Sequence, residues 1–303
     1  MVEIRMEVEV CAFGHITKES ERFRGIYRPF TGGPPYFLSI ALRRLGSSVF
    51  VITRLAREDA YLLKELYDLG IDVLVLPSRY TSSFHTEYGR SFDERTLSVL
   101  SVAEPFHVED LEHCPKPRYI YVGPLTTKDF NLEFVKEARR VAPIVLDVQG
   151  FTRKVVDNRI EYVDWEWKME GMKYVDIFKA DIKEASILTG AEDPLRASEI
   201  LSSWGSKEVL ITSSEGVYLR VYNKMLFAPF KVDSIGGRVG RGDTCLASYL
   251  HARLRGMGYK DAIVFAAATT SLKLREQGPL KIGEDTVFEY IRSNYSDTDV
   301  RYL

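Results

Sequence analysis

The sequence predicts an α/β fold: a doubly wound sheet flanked by helices, with a small β-sheet lid, built as one domain over residues 1–303. Three observations lead there. Short β-branched runs alternate with amphipathic helical stretches, the pattern of a parallel sheet with helices on both faces. A few polar, aromatic strand-like pieces break the alternation and read as a separate small sheet. The 303 residues, 45% hydrophobic, suffice for a sizeable core, and no linker, repeat or low-complexity tract divides them.

Val8–Phe13 is the first expected strand, and Glu21–Phe30 is the first piece outside the alternation. Helix Tyr36–Leu45, strand Ser48–Ile52, helix Glu58–Leu69 and strand Val73–Leu76 follow. Ser82–Tyr88 and Thr96–Val102, turning around Arg90–Glu94, complete the small sheet. Strands Tyr119–Val122, Ile144–Asp147, Ile177–Lys179 and Val209–Thr212 then alternate with helices Leu132–Val141, Lys183–Leu188 and Pro194–Trp204. A hairpin, Val217–Val221 with Met225–Pro229, turns at Asn223-Lys224. Helices Thr244–Arg255, Lys260–Arg275 and Asp285–Tyr295 end the pattern. Ligands of open α/β sheets bind beyond the carboxyl ends of the strands. A small sheet over that edge is expected to act as a water-excluding lid.

The net charge of −2 and the lack of a basic block give no general attraction to nucleic acid or anionic membranes. Cys11, Cys114 and Cys245 lie far apart without zinc spacing and read as buried thiols of a reducing cytosol. The start alternates charges (Glu3, Arg5, Glu7, Glu9) and is no signal peptide, and no apolar run reaches the roughly 20 residues of a membrane helix. A soluble, cytoplasmic protein is expected.

Chemistry concentrates in Gly237–Thr244. Closely spaced glycines let several N–H groups point into one concavity, and the following helix adds its positive end. That suits a phosphate in transfer, with Asp243 placed as a base; the bland alternative is a capping carboxylate. The chain has no Gly-x-x-x-x-Gly-Lys-Ser/Thr loop, no Gly-x-Gly-x-x-Gly after its first strand and no Gly-x-Ser-x-Gly elbow. These absences disfavour P-loop, dinucleotide-binding and hydrolase chemistry. Gly32-Gly33 before a helix allows close approach of a small ligand, or is simply a tight turn. Asp181 and Glu184 either stabilise a helix start or reach Mg²⁺ through water. Asp147 and Gln149, with Arg153, stand at a strand's carboxyl end, where substrate hydroxyls bind.

In this order, the pieces resemble the ribokinase, or PfkB, family of carbohydrate kinases. Gly240-Arg241-Gly242-Asp243 matches its Gly-Ala-Gly-Asp signature, and Gly32-Gly33 leading to Leu45-Gly46 matches its N-terminal one. Asp181-Ile182-Lys183-Glu184 stands for Asn-x-x-Glu, followed by Leu188-Thr189-Gly190. Thr212-Ser213-Ser214-Glu215-Gly216 stands for Thr-x-Gly-x-x-Gly, and Ala266–Ala268 with Gly278 for the adenine side. The departures are Arg241 for a small residue, Gly237 for an Asp, Phe37 for the usual sugar-binding Asn, Glu19 for the first-strand Asp, and a nucleotide turn one residue short. They speak against an ordinary ribose site. Phe84-His85, the run to Pro105, Asp147-Val148-Gln149 with Arg153, and Gln277-Gly278-Pro279 are similar to the inositol kinases of the family.

The resemblance implies a ribokinase-like fold and ATP- and Mg²⁺-dependent phosphorylation of a small polyol, sugar or cyclitol, myo-inositol favoured. It implies Asp243 as general base in an anion hole of Gly240, Arg241 and Gly242. Thr212, Ser214, Gly216 and Gly278 would bind the nucleotide, and Glu19, Gly32, Gly33, Phe37, His85, Asp147, Gln149 and Arg153 the acceptor. Asp181 and Glu184 would face Mg²⁺ through water. A nucleoside kinase of the same family and a non-catalytic ATP- or sugar-binding sensor stay open as alternatives. A homodimer through the lid is compatible with all of these.

Overall fold

The computed structural model describes residues 8–89, 95–296 and 300–302. Glu3, Arg5, Glu7 and the expected turn at Arg90–Glu94 lie outside the described residues. In chain order the strands are β1 (Val10–Gly14), β2 (Thr17–Phe23), β3 (Ile26–Gly32), β4 (Val49–Leu55), β5 (Asp72–Pro77), β6 (Ser83–Tyr88), β7 (Arg95–Ser101) and β8 (Tyr119–Gly123). Next come β9 (Ile144–Asp147), β10 (Arg153–Val156), β11 (Arg159–Tyr162), β12 (Ile177–Asp181), β13 (Glu208–Thr212), β14 (Gly216–Val221), β15 (Lys224–Pro229) and β16 (Arg301–Tyr302). The helices are α1 (Pro34–Leu45), α2 (Lys64–Asp68), α3 (Leu132–Val141), α4 (Lys168–Gly171), α5 (Ile182–Thr189), α6 (Pro194–Ser203), α7 (Arg241–Leu254), α8 (Tyr259–Leu274) and α9 (Glu284–Asn294).

The main sheet has the order β16-β15-β14-β13-β12-β9-β8-β1-β4-β5. From β13 to β5 all neighbours are parallel, and β14 to β16 add an antiparallel edge. Side-chain alternation buries both faces of β1: Val10 and Ala12 join the core beneath α1, α7 and α8, while Cys11 and Phe13 join the one beneath α3, α5 and α6.

A second sheet, β10-β11-β7-β6-β2-β3, rises from the carboxyl edge of the first. β2 leaves β1 after His15-Ile16, β6 follows β5, and β10 follows β9 through a 3₁₀ turn at Val148–Thr152. Beneath that turn the rings of Phe151, Trp165 and Trp167 pack with centroids 4.7–4.8 Å apart.

Several elements depart from expectation. Glu21–Phe30 is part of a full hairpin, β2 with β3, turning at Arg24-Gly25, both at positive φ. The expected helix Glu58–Leu69 is split into a 3₁₀ stretch, Arg57–Leu63, and the short α2; Asp59 in the 3₁₀ stretch accepts a hydrogen bond from Lys18 Nζ on β2. The β14–β15 turn falls at Tyr222-Asn223, because Val221 pairs with Lys224 and Tyr222 takes a φ of 52°. The β10–β11 hairpin was not expected; Asp157 and Asn158 make its turn at φ 46° and 60°.

Candidate active site

Strand register assembles the centre of the site. On the adjacent parallel strands β9 and β12, Asp147 and Lys179 are direct partners. Their side chains therefore share a face at the carboxyl edge. Lys179 Nζ lies 3.0 Å from Asp147 Oδ2 and 3.2 Å from Oδ1, and 3.8 Å from Glu184 Oε2. All three groups are buried. Burial acts to strip the lysine of its proton, but Asp147, then Glu184, outweigh it and hold the ammonium well above its usual range. Burial pushes Glu184 up to about 7 against the pull of Lys179.

Gly240 immediately precedes α7, with a left-handed φ of 75°, and a Cβ there would overlap the Phe37 ring. The helix starts at Arg241, three residues before the expected Thr244. Gly242 and Asp243 thus belong to its first turn, where the N–H groups lack intrahelical partners. Asp243 Oδ1 is buried without a hydrogen-bond partner. Its carboxyl is pushed up to about 7, by burial first and the charge of Asp147 second, against Lys179 and Arg153. A Cβ on Gly242 would lie 2.9 Å from Lys179 Nζ, so the ammonium packs directly against this turn.

The second sheet brings Glu19 over the same region. Thr17 Oγ1 donates to Glu19 Oε1 at 2.8 Å; burial raises the Glu19 carboxyl, opposed by that bond and by the charge of Arg153. Arg153 opens β10 and sets Nη2 3.9 Å from Glu184 Oε1. Gly33, at φ 96°, lies against the His15 carbonyl where no side chain would fit. Gln149 lies in the 3₁₀ turn and donates its N–H to Asp147 Oδ1 at 3.1 Å.

Two expected acceptor residues sit elsewhere. His85 pairs with Ser20 across β2–β6, whereas Glu19 pairs with Phe84, so His85 projects from the opposite face of the second sheet. There it meets Ser20 Oγ at 2.8 Å and stacks with Tyr27. Phe37 is 3% exposed and part of the core beneath Gly240, a supporting wall rather than an open face for a ring.

Of the residues expected to bind the donor, Thr212 is buried at the end of β13, Ser214 is exposed in the next turn, and Gly216 opens β14 opposite Pro229. Ser213 Oγ closes that turn by accepting the N–H groups of Glu215 and Gly216, each at 3.0 Å. Gly278 follows α8 at φ 83° with open space around it. Ala266, Ala267 and Ala268 are wholly buried. The segment 230–237 is fastened across the end of α8: Lys231 N donates to Ser271 Oγ at 2.9 Å and Gly236 N to the Leu274 carbonyl at 2.8 Å. Tyr290 donates to the Lys231 carbonyl and Tyr295 to that of Pro229.

Three residues of this region escaped the sequence reading. Lys179 had a signal, a lysine inside the apolar run Ile177-Phe178-Lys179-Ala180. Lys273, inside an apolar helix, gave a similar one; it is buried, and Nζ donates to the Val239 carbonyl at 2.5 Å. Burial pulls Lys273 down to about 8, although the Asp243 charge opposes this. Tyr121 gave none: its wholly buried hydroxyl, without a hydrogen-bond partner, feels both Asp147 and Asp243.

Among the described residues, no three His, Cys, Asp or Glu side chains come together as a metal site. Asp181 and Glu184 are joined in a reciprocal capping pair, each accepting the other's N–H at 2.7 Å. Mg²⁺ fits here only as an ion carried mainly by phosphate oxygens and water. Among the described residues, no helix is long and apolar enough to cross a membrane.

Comparison with known proteins identifies the family and the fold. Residues 28–285 match the family model described as pfkB family carbohydrate kinase. A pyrophosphate-dependent kinase of the ribokinase family, solved with sulfate, is 34% identical; the match covers 93% of this chain and 100% of that one, with a TM-score of 0.86. A pyrophosphate-dependent myo-inositol-1 kinase converted to a myo-inositol-3 kinase by two substitutions is 33% identical over 95% of this chain and 100% of that one, with a TM-score of 0.85. A cytidine kinase of Thermococcus kodakarensis is 33% identical over 92 residues, 29% of this chain and about a third (33%) of that relative. The family model spans most of the chain and the two solved kinases share its fold from end to end: the chain belongs to the pfkB family of carbohydrate kinases, phosphotransferases with a hydroxyl as acceptor.

Proposed function

We propose that this enzyme phosphorylates a hydroxyl of a cyclic polyol, myo-inositol favoured, with inorganic pyrophosphate as donor. The observation that carries the reading is Asp243 Oδ1, buried and without a partner in the first turn of α7, beside the Asp147–Lys179 pair. The acceptor hydroxyl gives its proton to Asp243 while its oxygen attacks the terminal phosphorus, and the bridging oxygen leaves with the other phosphate. The first turn of α7, with Gly242 in it, and the positive end of that helix oppose the charge that develops on the transferred group. Arg241, at the first position of the helix, adds a guanidinium to the same task. Glu19, Asp147, Gln149 and Arg153 supply hydrogen bonds to the acceptor's hydroxyls, and the Gly32-Gly33 backbone lets the ring approach. Mg²⁺, held by phosphate oxygens with Asp181 and Glu184 acting through water, would neutralise donor charge.

Pyrophosphate replaces the expected ATP for two reasons. Segment 230–237 is fastened across the end of α8 at Ser271 and Leu274, and the alanines expected on the adenine side are wholly buried. The full-length relatives described above use pyrophosphate. On this reading Thr212, Ser214, Gly216 and Gly278 form the wall of a short donor site rather than a base slot. The partial match to a cytidine kinase favours one second reading, a nucleoside acceptor.

The test is turnover with pyrophosphate or ATP, each with Mg²⁺, against myo-inositol, ribose, hexoses and nucleosides. Phosphorylated inositol formed from pyrophosphate is expected. Turnover with ATP alone overturns the donor assignment, and a nucleoside product overturns the acceptor. Folded, ligand-binding protein without turnover on any pair would move the reading to a sensor.

A further inference from the structure

Lys179 has no part in the mechanism above, yet it lies at the centre of the site. Its ammonium contacts both oxygens of Asp147 on β9, approaches Glu184 on α5, and packs against Gly242 in the first turn of α7. It thereby joins the acceptor strand to the helix that carries the base. Asp147 Oδ2, 3.0 Å from Nζ, has no hydrogen bond of its own, and neither has Asp243 Oδ1. Both oxygens keep lone pairs for an incoming hydroxyl while the lysine offsets the local negative charge. A lone buried carboxylate pair at this spot would repel itself and drift apart or take up a proton.

We propose that Lys179 is a positioning residue: it fixes Asp147 against the start of α7, so that the acceptor hydroxyl is presented to Asp243 in register. The inference rests on the kinase reading above and adds a residue that acts through Asp147, not on the phosphoryl group.

The test compares Lys179→Met, Asp147→Asn and the double variant in kcat and in the KM of acceptor and donor. It uses whichever acceptor the wild type turns over, so a non-polyol acceptor overturns the polyol reading while leaving this comparison intact. Lys179→Met is expected to lower kcat by about 10²-fold, the scale of a small misplacement of reacting groups. It should raise the acceptor KM and leave the donor KM within about threefold, the changes expected of a group that orients only the acceptor. Because both residues act in one unit, the double variant should be no worse than the weaker single one. Undiminished kcat in folded Lys179→Met, a rise in donor KM instead of acceptor KM, or losses that multiply in the double variant would each overturn the proposal. Should Lys179→Met fail to fold with Asp147 left unpaired, the double variant, which removes both charges, is compared with Asp147→Asn alone. Equal kcat supports the proposal, and a further loss of about 10²-fold refutes it.

Discussion

At the scale of single residues, Asp243 carries opposing demands. Burial and Asp147 raise its carboxyl to about 7, yet a general base must be ionised. The rate is therefore expected to rise with pH through an acid limb near 7, and Asp243→Asn to lose about 10²–10⁴-fold in kcat. A variant with wild-type kcat would remove the assignment. Stability runs the other way. Between the ordinary carboxylate range and pH 7 the folded state binds a proton that the unfolded state has released, so this group's contribution falls as pH rises through 7. Asp243→Asn should then be more stable than wild type above pH 7, with the gap closing toward pH 4; denaturant unfolding at the two pH values reads it directly. For Arg241 the expectation is kinetic: Arg241→Ala lowers kcat more than it raises the acceptor KM, and an unchanged kcat would place the guanidinium away from the phosphoryl group.

At the scale of elements, the start of α7 is the piece on which the site turns. Gly240→Ala would force a side chain into a left-handed backbone and into the Phe37 ring. Strain of this kind costs roughly 1–3 kcal/mol before the overlap is counted. Gly278→Ala meets the same backbone strain in open space, so it should destabilise less and leave turnover closer to normal; equal losses would contradict the packing argument. Elements were legible in the sequence where one period ruled. Leu132–Val141 and Ile144–Asp147 match the structure residue for residue, the first as an amphipathic helix with one buried face, the second as a short apolar run buried on both faces and ended by Asp147. The stretch Arg57–Leu63 was misread because tertiary contacts, Lys18 to Asp59 among them, tighten what the pattern alone would make α-helical. The β10–β11 hairpin carried a readable turn in Asp157-Asn158, overlooked between stronger signals. His85 was misplaced by one residue's worth of alternation, enough to send a strand side chain to the other face. The partners of Lys179 and Tyr121 are not legible for another reason: they come from other strands, and register across a parallel sheet is not written in either strand alone.

At the scale of the whole molecule, the second sheet is anchored to the carboxyl edge of the first through β1, β5 and β9, and the residues proposed to bind the acceptor come from both sheets. Binding an acceptor should therefore tie the two sheets together and raise the melting temperature. A ligand at about 100 times its Kd adds about 2.7 kcal/mol. Polyol and a non-transferable pyrophosphate analogue together should stabilise more than the sum of their separate effects, since each orders the same crevice; simple additivity in a thermal melt would argue that the sheets do not close on the ligands. The aromatic cluster beneath Val148–Thr152 gives this movement an optical voice. Two of the chain's three tryptophans, Trp165 and Trp167, pack with Phe151 under the turn that carries Gln149 and leads to Arg153. The third, Trp204, caps the end of α6 against Lys168. Native fluorescence is thus weighted toward the acceptor side of the crevice, and a polyol titration followed by emission needs no added dye: the wild-type chain is its own binding probe.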